Sequence, residues 1–268
     1  MDQPRHLSAS FARAPLIGMV LLSLAYLIFP VVVVVVISFS GQKFLSFPPA
    51  SFSTVWYRDI LTSADWAQSF WITIRVGVLA AFLSVGIGLP AAFALVRRRI
   101  PGKGVLEALL LAALITPPII KGLSLYLFYA PLGLNNTVVG LAVAHTVTGV
   151  PFVILNVSAS LRGFDMDLER AAVIHGCSQL GALRRVTIPI IMPGIIVGTV
   201  FAFLQSAQEL LVALFVMGSV QRPLAVKLWE SVRVSIDPSI AAASTLLIAF
   251  AVVAFVLASV LQWRRRLA

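Results

Sequence analysis

Six long apolar runs divide this chain: Pro15–Ser38, Phe70–Val96, Val105–Ala130, Thr137–Ser160, Ile190–Val216 and Ile240–Trp263. A helical run of about 20 residues, rising about 1.5 Å each, crosses the roughly 30 Å hydrocarbon core of a bilayer. The runs are too long and too continuously apolar for the alternating strands of a barrel. The pattern therefore predicts an all-α polytopic membrane protein with six transmembrane helices. Arg5 and Arg13 precede the first run and Ser38 and Ser40 follow it, as around a signal peptide. Its apolar stretch is too long for a signal h-region, so a retained first span over 15–38 is expected. The longest intervening segments are Phe39–Ser69, Leu161–Pro189 and Met217–Ser239. None is large enough to fold alone, which predicts a single membrane domain over 1–268 with core spans over about 70–263.

Composition agrees: 60% of the residues are hydrophobic and 11% charged, against about 25% charged in ordinary soluble domains. Lys and Arg set the orientation. With the N-terminus placed in the cytoplasm, thirteen of them fall on the cytoplasmic side, in four groups: Arg5 and Arg13; Arg97, Arg98, Arg99 and Lys103; Arg162, Arg170, Arg184 and Arg185; and Arg264 to Arg266. Five fall outside: Lys43, Arg58, Arg222, Lys227 and Arg233. Both termini are expected to be cytoplasmic. The net charge of +10 is thereby accounted for by topology signals, and no nucleic-acid partner is expected, because the basic residues lack interleaved aromatics. The single Cys177 excludes an intramolecular disulfide and a cysteine-rich metal site.

The loop 161–189 contains "LERAAVIHGCSQLGALRRVTIPIIMPG" from Leu168 onward. Asp165 or Asp167 can cap a first short helix, because a carboxylate there accepts orphan backbone N–H groups. Gly176 can end that helix in the left-handed conformation. Ser178 can cap a second piece, and Pro189 can open the fifth span where its missing N–H is harmless. Leu168, Ala171, Ala172 and Gly176 give the first piece a small, apolar surface suited to docking a protein. An amphipathic loop lying on the bilayer is the alternative.

The same loop resembles the signature of binding-protein-dependent ABC importer permeases: E-A-A, three residues, G, nine residues, I-x-L-P. Here it reads Arg170-Ala171-Ala172, three residues, Gly176, nine residues, then Val186, Thr187, Ile188 and Pro189. Arg170 stands in the place of the leading Glu, and Glu169 lies one position earlier. "FLSFPPASFSTVWY" from Phe44, "FALVRRRIPGK" from Phe93, "AHTVTGVPFVI" from Ala144 and "IDPSIAAASTLLI" from Ile236 extend the resemblance over nearly the whole chain, most closely to the second permease of spermidine/putrescine-type systems. The resemblance implies a type I ABC importer permease (MetI-like) fold in the bacterial inner membrane. It implies a coupling helix over Leu168–Cys177 seated on a cytoplasmic ATPase dimer. It further implies a second, homologous permease subunit (identical or not) and a periplasmic solute-binding protein. Leu168, Glu169, Arg170, Ala171, Ala172, Gly176, Ile188 and Pro189 are the candidate coupling residues.

Motifs for catalysis are lacking. "PGKG" at Pro101 does not satisfy G-x-x-x-x-G-K-[ST], and no H-E-x-x-H, G-x-S-x-G or C-x-x-C occurs. ATP and Mg are therefore expected on a partner, with no cofactor on this chain. Polar residues within spans are costly and default to functional candidates. Glu209 and Gln205 share a face of the fifth span, with Gln208 adjacent. Lys121 and His145 fall at similar depth. They line the solute path, or Lys121 pairs with Glu209 and His145 is hydrogen-bonded in the bundle. Arg75 is read as snorkelling to the outer surface. A polyamine wants carboxylates and aromatic faces. Glu209 suits it, while Lys121 favours a phosphonate or another anion; ferric iron is a further alternative cargo that the resemblance implies. A membrane-embedded enzyme or a secondary carrier would leave the 161–189 loop without a role.

Overall fold

The computed structural model of the chain describes residues 8–218, 221–234 and 236–267. Arg5 and both chain termini, which carry part of the orientation argument, lie outside the described residues, as do Ser219, Val220 and Ser235 of the 217–239 segment. Among the described residues the protein is almost wholly helical. Its contacts divide it into two units, Met1–Ser63 with Ser231–Ala249, and Ala64–Glu230 with Phe250–Ala268.

In the first unit, α1 (Ser8–Ser38) is exposed along its apolar length from Pro15 to Val32. Its far end is pinned to the loop and helix that follow. The Ser38 and Tyr57 hydroxyls share a hydrogen bond of 2.6 Å, and Trp56 Nε1 donates to the Ser40 carbonyl at 2.8 Å. Tyr57 and Trp56 belong to α2 (Val55–Thr62).

The second unit is built on three long helices, α3 (Ala64–Arg97), α6 (Val138–Arg162) and α9 (Ile188–Gln208), which pack pairwise. α6 is the central one. It is buried on most of its surface, leaving a stripe through Val139, Val143, Val147, Leu155 and Ala159 exposed. Association of helices in lipid relies on close packing and interhelical hydrogen bonds, because lipid is as apolar as leucine. Gly198 supplies the close approach of α9 to α6: a Cβ there would lie 2.9 Å from the Val153 Cα, a backbone atom that cannot give way. Ala81, Ala92, Val153, Val157, Leu161, Phe164, Ile191 and Ala202 form the core between the three helices.

Two predicted spans are not continuous. The third, expected as one helix over Val105–Ala130, is α4 (Lys103–Ile115) and α5 (Pro118–Tyr129) meeting at 99°. Thr116 precedes Pro117, whose ring pushes it into extended backbone (φ −60°, ψ 128°), and Pro118 follows. The fifth, expected to run from Ile190 to Val216, stops at Gln208; Glu209 is extended (φ −73°, ψ 103°) and α10 (Leu211–Met217) begins after it. Among the described residues four helices are by themselves long and apolar enough to cross a membrane, and the α4–α5 pair makes a fifth if counted as one broken span. The sixth predicted run lies on α12 (Pro238–Leu267), which follows α11 (Leu224–Val234).

Between α6 and α9 the chain forms α7 (Met166–Ile174), α8 (Gln179–Ala182) and a wide, π-type turn over Leu183–Thr187. These local expectations hold: Asp165 accepts the Asp167 N–H, Ser178 accepts the Gly181 N–H, and Pro189 lies in the first turn of α9. Gly176 has φ +90°. Its N–H reaches the Val173 carbonyl and that of Cys177 reaches Ala172, the paired bonds of a Schellman ending.

Candidate functional site

Two groups of the candidate residues occupy different places. The first is at the 161–189 end of the bundle. α7 turns Leu168, Val173 and Ile174 outward, Ile174 with 83% of its surface exposed. Ala171 is exposed beside them and Ala172 half-buried. Arg170, the departure from the motif, is exposed and paired to Asp167 on its own helix at 2.7 Å. Glu169 faces the other way, into the fold.

Its carboxylate accepts two hydrogen bonds from the Arg97 guanidinium, at 2.7 and 3.1 Å, and one from the Thr187 hydroxyl at 2.5 Å. Arg97 is the last residue of α3, and its guanidinium lies 4.9 Å from the Phe93 ring centroid and 5.8 Å from that of Phe164. The Arg97 hydrogen bonds hold the Glu169 carboxyl below its ordinary value of 4.5; partial burial opposes this, and Thr187 and the Arg97 charge add to it. A cleft of about 710 Å³ opens beside the pair, lined among others by Pro90, Arg98, Leu180 and Ile188. Pro189 is exposed at its edge of α9.

Arg97, Thr187, Phe93 and Phe164 were not among the sequence candidates. Arg97 read as one of three orientation-setting arginines, and no local pattern links it to a residue 72 positions later.

The second group surrounds the break in α9. Glu209 is 8% exposed. Gln205 Nε2 donates to its carboxylate at 3.2 Å and the Val212 backbone N–H at 3.4 Å. The expected Gln205–Glu209 face is thus formed, while Gln208 is turned outward and exposed. His145 is buried on α6 with its Nδ1 2.7 Å from the Ser206 hydroxyl, a link from α6 to α9; its Nε2 is buried without a partner. Hydrogen bonds between membrane helices average about 0.6 kcal/mol.

Lys121 does not reach Glu209: among the described residues no ion pair joins them. Its ammonium donates instead to the Ala113 carbonyl at 3.2 Å, in the last turn of α4. The final carbonyls of a helix have no partner within it, and a cation there offsets both the missing bonds and the negative dipole end. Arg75 is exposed on α3.

The chain is similar to the spermidine/putrescine transport system permease protein PotC of Escherichia coli, 30% identical over 229 residues that cover 85% of this chain and 86% of the relative. It is 30% identical to the putrescine transport system permease protein PotI of the same species over 248 residues, covering 90% and 88%. It is 29% identical to a probable molybdenum ABC transporter permease protein of Haloferax volcanii over 192 residues, covering 68% and 69%. Among solved structures it shares its fold with a bacterial ABC transporter that imports alginate, at a TM-score of 0.69 and 18% identity over 97% of this chain and 98% of that one. The MetNI methionine ABC transporter matches at 0.53 and 19% over 75% and 92%. The model of the family described as "Binding-protein-dependent transport system inner membrane component" matches residues 84–267, and the chain, a multi-pass inner-membrane protein, belongs to that family.

Proposed function

We propose that this chain forms half of the solute path of an ATP-driven, binding-protein-dependent importer and that its cargo is a polyamine. The observation that carries the first part is α7: an apolar face turned outward at the ends of the core helices, on a helix closed by Gly176 and tied inward by Glu169. Such a face suits a groove on a cytoplasmic ATPase dimer. A rigid link from it to α3 and α9 would convert closure of the ATPase into motion of the spans. ATP and Mg belong on that partner. A second permease subunit completes the path, and a periplasmic binding protein delivers the solute.

The cargo rests on Glu209 and on the relatives. A carboxylate at a break in a membrane helix suits a cation, because discontinuous helices are where carriers place their sites. PotC and PotI are named for spermidine and putrescine. The anionic alternative rested on Lys121, and its ammonium is directed to the Ala113 carbonyl at the end of α4.

The test is uptake by the complete complex reconstituted in vesicles. Labelled putrescine or spermidine should enter only with ATP and the loaded binding protein. Uptake of a phosphonate in their place would overturn the cargo, and uptake by the chain without an ATPase would overturn the whole reading.

A further inference from the structure

Glu169 is the only acidic side chain of α7 that turns inward; Asp167 of the same helix is exposed and paired to Arg170. Its three hydrogen bonds go to two different elements. The Arg97 side belongs to the last turn of α3, and Thr187, fully buried, belongs to the wide turn through which α8 continues into α9. Arg97 is in turn flanked by Phe93 of α3 and by Phe164, which is buried in the short link between α6 and α7. One carboxylate therefore ties α7 to the end of α3 and to the turn that leads into α9.

The backbone alone does not hold α7 so firmly. It is joined at one end through Gly163 and at the other through Gly176, which has nothing within 4 Å of where a Cβ would stand. These short links set where the ends of α7 lie, and the side-chain contacts of Glu169 add a fixed orientation about its axis. A planar guanidinium gripping a carboxylate in two places fixes orientation as well as distance. Ion pairs removed from water contribute little net stability, and their best-attested use is to fix one arrangement over others.

We propose that Glu169 is a positioning residue, which passes the movement of α7 to α3 through Arg97 and to α9 through Thr187, and that it does not itself contact the ATPase. This rests on the reading of α7 as the ATPase-docking helix. It assigns the outward face of α7 to docking and the inward carboxylate to transmission.

The test uses the full complex in vesicles, with two measurements, co-purification of the ATPase and solute moved per ATP hydrolysed, made on single variants and on a charge-exchanged pair. Glu169→Gln should retain the ATPase on purification and lower solute moved per ATP about tenfold, the scale of losing a charge-assisted bidentate contact. Arg97→Lys, which keeps the charge and loses the fork, should fall the same way. Arg97→Glu combined with Glu169→Arg should recover part of what either single change loses. Loss of the ATPase from Glu169→Gln alone would place the carboxylate in the docking interface and overturn the proposal, as would a double variant no better than its parents. Ile174→Asp separates the two readings. It should lose the ATPase, and if it does not, the docking role of α7 fails whatever Glu169 does.

Discussion

Glu169 and Glu209 are both mostly buried carboxylates in an apolar protein, and they are treated in opposite ways. Glu169 has a bidentate arginine and a threonine hydroxyl, all at 3.1 Å or less. Glu209 has a glutamine amide and a backbone N–H at 3.2 and 3.4 Å and no cation among the described residues. A carboxylate whose charge is fully answered suits the mechanical role proposed for Glu169. One that is answered only by neutral donors, at a break in a membrane helix, retains capacity for a cation that arrives and leaves. Under the proposed function, this difference assigns Glu169 to motion and Glu209 to cargo.

The contrast can be broken most forcefully at Glu209. Glu209→Gln should lower uptake by about tenfold or more, because no other side chain at the break supplies negative charge, while the complex still assembles. Unchanged uptake kinetics in vesicles would remove Glu209 from the path. Next in size is Lys121→Met, which exposes the carbonyl end of α4 and should cost about 1–2 kcal/mol, read as a lowered midpoint of thermal unfolding in detergent. Its effect on the KM for a cationic solute should be small; a large fall in KM would mean that the ammonium faces the path after all. Gly176→Ala forces a side chain into positive φ with no steric contact, so backbone strain alone, about 1–2 kcal/mol, should appear in the same assay.

Acid sharpens the contrast from the other side. The folded Glu169 carboxyl lies below its ordinary 4.5. Its contribution is therefore complete above that value and is lost as pH falls through the lower folded one. Solute moved per ATP, measured against pH, should thus show no change attributable to Glu169 between pH 6 and 8, about two units above the ordinary carboxylate range. The smallest effect belongs to Arg170→Ala. Its partner Asp167 is as exposed as it is, and i,i+3 pairs on a helix surface contribute about 0.2–0.5 kcal/mol, so uptake should stay within about twofold.

What could be read from the chain was local. The caps at Asp165 and Ser178, the ending at Gly176 and the opening at Pro189 each involve partners within five residues, and each formed as expected. The apolar runs marked helices well but not their breaks. Thr116-Pro117-Pro118 carried the signal of the α4–α5 bend, and continuous apolarity masked it. Glu209 has no proline or glycine beside it, and the only local device at the interruption of α9 among the described residues is its carboxylate accepting the Val212 N–H, which no propensity anticipates. The Arg97–Glu169–Thr187 grouping joins residues far apart in sequence, and only the packing of α3 against α9 brings them together. Arg97 in sequence was one of three equivalent arginines; in the fold it alone of the three has a carboxylate partner.

The wide turn at Leu183–Thr187 also fixes the length of this connection. Each residue of an α-helix advances the helix by about 100°. Deleting one residue from Leu183–Thr187 and letting the turn tighten to ordinary α geometry would swing everything before it by about that angle relative to α9. The Thr187 hydroxyl would leave Glu169, and the outward face of α7 would aim elsewhere. The nine-residue interval from Gly176 to Val186 is thus a setting of angle as much as of distance, and a chain one residue shorter or longer there would present its motor with a misaligned handle.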